Sequence, residues 1–122
     1  MKSRLLAFSG VLLIVLTAFT APAAADDNYG AIAFSTSSGA LGWSYDYSSR
    51  GGAEEEALKQ CGPGCEVAIW FKNACAAIAT SSNHSYGTGW ASERGEAEGI
   101  AMRSCREHAS DCSIARWQCT TR

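Results

Sequence analysis

Residues 50–61, RGGAEEEALKQC, and residues 94–105, RGEAEGIAMRSC, decide how this chain folds. Arg50/Arg94, Ala53/Ala97, Glu54/Glu98, Ala57/Ala101 and Cys61/Cys105 all lie 44 residues apart. Unrelated segments rarely agree this often in one register, so the chain reads as an internal duplication. Ala97, Ile100, Ala101, Ser104 and Cys105 follow the i, i+3, i+4, i+7, i+8 spacing of an amphipathic helix. Ala53, Ala57, Leu58 and Cys61 form the inward face of the first copy. Ser48 or Ser49 can cap the first helix and Ser92 the second. Gly51 and Gly52 weaken the first turn, each by up to about 1 kcal/mol relative to alanine. Gly62-Pro63-Gly64 ends that helix.

Strands flank each helix. Tyr29 to Ser35 is β-rich and buries Ile32 and Phe34 on one face; a small, glycine-ended turn leads to a second arm from Ala40 to Tyr47. Glu66 to Phe71 is the third strand. The second half repeats this with Cys75 to Thr80, a turn at Ser81 to Ser85, Tyr86 to Trp90, and Ser113 to Cys119. Ala31-Ile32-Ala33 aligns with Ala77-Ile78-Ala79, and Gly42-Trp43-Ser44 with Gly89-Trp90-Ala91. Cys65/Cys112 and Trp70/Trp117 lie 47 residues apart, which places three added residues in the second post-helix loop. The expected fold is α+β: duplicated ββαβ halves, about 28–74 and 75–122, forming an antiparallel or mixed sheet with two helices packed on one face and three disulfide staples.

The compartment decides what the cysteines are. Lys2 and Arg4 precede an apolar run from Leu5 to Phe19, and Ala21-Pro22-Ala23-Ala24-Ala25 supplies small residues in an A-x-A arrangement. This is the pattern of a secretory signal peptide over residues 1–25. The apolar run falls short of the roughly 20 residues that span a bilayer. Residues 26–122 then form one small domain, secreted or periplasmic. Without Lys2 and Arg4 it keeps 8 basic residues against 12 acidic ones, a net of −4, which argues against nucleic acid and anionic lipid as partners. Its core is thin and rich in alanine, so covalent staples are expected.

In an exported chain, six cysteines read as three disulfides. If the halves exchange Cys61 with Cys105, Cys65 with Cys112 and Cys75 with Cys119, most connectivities are inconsistent with the duplication. Locality then favours Cys61–Cys65 and Cys105–Cys112, leaving Cys75–Cys119 to join the two halves; cross-pairs such as Cys61–Cys105 are the rivals. The 105–112 gap is long for a zinc knuckle, and His84 and His108 do not form a second ligand pair, so no metal is expected.

Taken in order, Tyr29-Gly30-Ala31-Ile32-Ala33-Phe34-Ser35, Ser49-Arg50, Ala53-Glu54, Cys61, Cys65, Val67, Phe71, Asn73, Cys75, Ala77 and Ala79 resemble the bacterial exported domain of unknown function 4189 family. Gly89, Ala97-Glu98, Cys105, Cys112, Trp117 and Cys119 continue the resemblance through the second half. It implies export and a compact cysteine-containing domain. It supplies no activity and no catalytic residues.

No catalytic constellation stands out, and neither an enzyme nor a cofactor is expected. His84 lies among serines in Ser81-Ser82-Asn83-His84-Ser85 and reads as a solvated turn residue; a Ser–His–Asp arrangement needs convergence that sequence cannot supply. His108 sits near a helix C-terminus, where it complements the dipole. Glu54-Glu55-Glu56 and Glu93, Glu96 and Glu98 read as solvated first-turn carboxylates rather than a glycosidase pair. Trp43, Tyr45 and Tyr47 alternate and so share one strand face, with Tyr86 and Trp90 on the matching arm. Buried, this face is core; exposed, it is an aromatic platform. Trp70 and Trp117 are expected in the core. The leading expectation is a monomeric, non-enzymatic protein- or ligand-binding module, a secreted effector or inhibitor-like domain with another secreted or envelope protein as partner. The rival is a small secreted hydrolase using His84 or a helix-start glutamate.

Overall fold

The structure is a computed structural model that describes residues 13–17 and 27–121. The basic start and the cleavage site of the expected signal peptide lie outside the described residues. Leu13 to Leu16 are exposed and take no part in the core.

The elements run β1 (Tyr29–Phe34), β2 (Leu41–Tyr47), α1 (Arg50–Cys61), β3 (Glu66–Lys72), β4 (Cys75–Thr80), β5 (Tyr86–Ala91), α2 (Arg94–Arg106) and β6 (Ser113–Cys119). This is ββαβ twice, an α+β fold with duplicated halves. Each half makes its own three-stranded antiparallel sheet, in the orders β2-β1-β3 and β5-β4-β6.

The layering differs from one sheet carrying both helices on a single face. The central strands β1 and β4 are buried on both sides, and their alternation decides what each side meets. Ala31 and Ala33 pack with Ala53, Ala57 and Cys61 of α1. Ala77 and Ala79 pack with Ala97, Ala101 and Cys105 of α2. The opposite faces, Ile32 and Phe34 with Phe71 from one sheet and Ala76 and Ile78 from the other, form a third cluster between the sheets. The layers are therefore helix, sheet, sheet, helix. A single sheet would leave the Ile32 and Phe34 face in water. β1 lies against β4, β2 against β6, and β3 against β5.

The alanine faces allow helix and strand to approach closely. A Cβ on Gly42 would sit 2.1 Å from the Ala57 carbonyl oxygen, and one on Gly87 2.1 Å from the Cys105 nitrogen. Gly42 and Gly87 are thus equivalent, with Ser44 matching Gly89: the Ser44 hydroxyl donates to the Ala53 carbonyl at 2.6 Å, whereas a Cβ on Gly89 would lie 2.4 Å from the Ala97 carbonyl. The two-residue-shifted match of Gly42-Trp43-Ser44 to Gly89-Trp90-Ala91 is corrected accordingly. Trp43 corresponds to Thr88, since they pair in register with the equivalent residues Ile32 and Ile78. Tyr45 corresponds to Trp90.

Ser49 caps α1 by accepting from the Gly52 N–H at 3.0 Å. A Cβ on Gly52 would stand 3.0 Å from that hydroxyl, which accounts for glycine in a helical turn. α2 is preceded by Glu93, not capped by Ser92, and Glu93 makes no side-chain cap bond.

The disulfides are Cys61–Cys65, Cys105–Cys112 and Cys75–Cys119. The third does not clamp the halves together. Cys75 and Cys119 are register partners on β4 and β6, inside the second sheet. The first half has Tyr29 and Lys72 at the equivalent register, with the ammonium 5.7 Å from the ring centroid. Cys75 opens the second half rather than closing the first. The halves are joined by the intersheet cluster and by contacts at its ends. At one end Thr121 donates its N–H to Asp46 at 2.9 Å, and at the other the His84 ring meets the Thr36 carbonyl.

Candidate functional site

The tryptophans organise the surface. Arg50, the first residue of α1, pairs with Glu54 one turn on and lays its guanidinium 4.4 Å from the Trp70 ring centroid. Arg94 does the same with Glu98, 3.7 Å from the Trp117 ring. Trp70 and Trp117 are therefore not core residues; they are 39% and 37% exposed beneath arginines. Glu54 is an ion-pair partner rather than a free dipole charge. The signal for both stacks lay in the duplication, since Arg, Glu and Trp were copied together.

The five expected platform residues do not share a face. Trp43 is half-buried between the sheets, with the Arg116 guanidinium 3.7 Å from its ring centroid. Tyr45 follows on the same side and is exposed. A bulge with Asp46 at φ 60° then turns Tyr47 toward α1, where it lies beside Gly52. Tyr86 meets Phe34 edge-on at 5.3 Å between ring centroids. Trp90 faces the sheet–sheet side at the opposite edge from Trp43 and is 63% exposed.

Trp90 and β3 enclose a mostly apolar groove of about 520 Å³, whose intersheet wall is Ile69 and Phe71. The duplication explains why this edge is open. Where β2 meets β6, Trp43 and Arg116 fill the space. Their equivalents where β5 meets β3 are Thr88 and Ile69, which are smaller. At the rim, the Lys72 ammonium lies 3.0 Å from Asp27. That hydrogen bond, with a second from Asn73, holds the Asp27 carboxyl below the usual 3.8 and raises Lys72. β3 has β1 on one side and no strand on the other. Neither Ile69 nor Phe71 was expected at a site, because apolar strand residues read as core.

A second, polar cleft of about 580 Å³ is lined by His84, His108, Ser85, Thr88 and Ser104 among others. His84 stands in the β4–β5 turn, half-buried rather than fully solvated. Its Nδ1 lies 3.2 Å from the Thr36 carbonyl, its ring meets Phe34 at 89°, and a Cβ on Gly39 would stand 2.9 Å from its Nε2. It docks the β4–β5 turn on the β1–β2 turn. Among the described residues no carboxylate is hydrogen-bonded to either imidazole, and no group of three or more His, Cys, Asp and Glu side chains could hold a metal. The Asp111 carboxylate instead accepts from the Ser82 N–H at 3.1 Å, and bonds with Ser82 lower its pKa.

Residues 29–119 match the family described as Domain of unknown function (DUF4189). Among solved structures, the NMR structure of Rv1813c from Mycobacterium tuberculosis is similar, with 25% sequence identity and a TM-score of 0.58 over 98% of each chain. No curated protein matches the chain. Among the described residues no helix is long and apolar enough to cross a membrane.

Proposed function

This chain belongs to the DUF4189 family of domains of unknown function, and from that premise we propose that it is an exported, non-enzymatic binding module. Its site is the groove between β3 and β5, and its partner is another secreted or envelope protein. One observation carries the reading: Trp90 is 63% exposed over an apolar groove, while the equivalent edge of the other half is filled by Trp43 and Arg116. Large aromatic side chains left open to water beside apolar surface are characteristic of interaction sites. Three disulfides suit an oxidising compartment outside the cytoplasm. A hydrolase using His84 finds less support, because Nδ1, the nitrogen a carboxylate would orient, faces the Thr36 carbonyl.

The test is affinity capture from the secreted and periplasmic fractions with the oxidised protein and two variants, Trp90→Ala in the groove and Tyr45→Ala at the equivalent position of the filled edge. A partner retained by wild type and Tyr45→Ala but lost with Trp90→Ala is the expected result. Identical captured sets for all three would remove the groove from the argument.

A further inference from the structure

We propose that the partner enters this groove with an arginine, whose guanidinium stacks on Trp90. The inference rests on the groove being the binding site and adds what binds there.

The chain has four tryptophans. Three carry an arginine of this same chain: Arg50 lies 4.4 Å from the Trp70 centroid, Arg94 3.7 Å from Trp117, and Arg116 3.7 Å from Trp43. Trp90 is the fourth and the most exposed, and among the described residues no cation lies over its ring. The duplication supplies no cation for it, because the position equivalent to Trp90 is Tyr45. Arg116 is on the strand facing Trp43; its equivalent, on the strand facing Trp90, is Ile69. Arg116 stacks on Trp43, whose equivalent is Thr88, so the Trp90 edge inherits neither that indole nor that guanidinium, and Ile69 across from it places no cation over the Trp90 ring.

The surroundings suit an arginine rather than a bare cation. The half-buried Ile69, backed by the buried Phe71, forms an apolar wall along which the three-methylene stem can lie while the planar head covers the indole. The domain from residue 26 onward carries a net charge of −4, which favours a basic partner. Lys72 at the rim opposes it weakly, because Asp27 at 3.0 Å compensates its charge.

The experiment uses the oxidised, exported protein with ¹⁵N-labelled indoles and three blocked pentapeptides, glycine throughout except for a central arginine, citrulline or norleucine. Citrulline keeps the shape and loses the charge. The Trp90 indole signal is assigned by its disappearance in Trp90→Leu, which keeps the groove apolar. The expected result is a saturable shift of that signal with the arginine peptide, at an affinity about fivefold or more above the citrulline peptide. The other three indoles stay in place, and Trp90→Leu abolishes the preference for arginine over citrulline. Equal affinity for arginine, citrulline and norleucine peptides would overturn the proposal while leaving an apolar binding groove. Shifts confined to the Trp43, Trp70 or Trp117 indoles, or no shift of Trp90 with any peptide, would also overturn it. The Trp90-dependent capture of a partner is decided separately.

Discussion

Replacing Gly42 by alanine tests the layer order directly. The added Cβ would meet the Ala57 carbonyl oxygen at 2.1 Å, the Cys61 nitrogen at 2.5 Å and the Cys61 Cβ at 2.9 Å. Two of these atoms belong to helix backbone, so no side-chain rotation relieves the clash. To reach ordinary contact at 3.4 Å, α1 must rise from β2 by about 1.3 Å, and the whole interface of Ala53, Ala57, Ala31 and Ala33 must loosen with it. Overpacking costs about 1–3 kcal/mol, and a rigid helical obstacle places this case near about 3 kcal/mol. For a domain of this size that lowers the melting temperature by roughly 15 °C. Gly51→Ala is the internal control. Nothing lies within 4 Å of its Cβ position, so it removes a helix-weakening glycine at no steric cost and should stabilise by up to about 1 kcal/mol. The assay is denaturant unfolding with the disulfides intact, comparing midpoints at constant m-value. The same substitution nine residues apart should move stability in opposite directions. A Gly42→Ala protein as stable as wild type would refute the close approach of α1 to β2.

Three further outcomes are expected. Trp43→Ala, which empties part of the intersheet core, should destabilise by about 3 kcal/mol, whereas Trp90→Ala should stay within about 0.5 kcal/mol in the same unfolding assay. Replacing Cys75 and Cys119 together by serine opens a link between residues 44 apart and should cost about 4 kcal/mol; hydrogen exchange should show β4 and β6 losing protection before β1 and β3. Asp27 should titrate below 3.8 in a carboxyl-detected NMR titration, and Lys72→Met should return it toward that value. Because its folded pKa is depressed, its contribution is present above the unfolded value and is lost as pH falls through the folded one.

The two helices were legible because their signals are local. Ala97, Ala101 and Cys105 repeat the spacing of Ala53, Ala57 and Cys61, and both triplets are buried as that spacing requires. The ends were less legible. Ser49 caps through Gly52, but at the matching place Glu93 does not cap, and only the surrounding turn distinguishes them. The site was legible in part. Trp90 stood out as an aromatic on a strand. Its relation to Tyr45 rather than Trp43 was hidden by offsets that change along the chain. The place of Ile69 in the groove wall was invisible because exposure of an apolar strand residue depends on what the opposite sheet places over it.

The residues alone determined the duplication, the order ββαβ twice, the α+β class and a chemistry suited to disulfides, because each follows from short-range periodicity, turn residues and composition. Tertiary structure decided three other matters. It divided the strands between two sheets, placed Cys75–Cys119 within one of them, and left one edge of the sandwich filled and the other open. The physical reason is the same throughout. Alternating Ala31, Ala33 with Ile32, Phe34 specifies a strand buried on both faces, but not which layer each face will meet. One bulge at Asp46 is enough to send Tyr47 to the face opposite Tyr45.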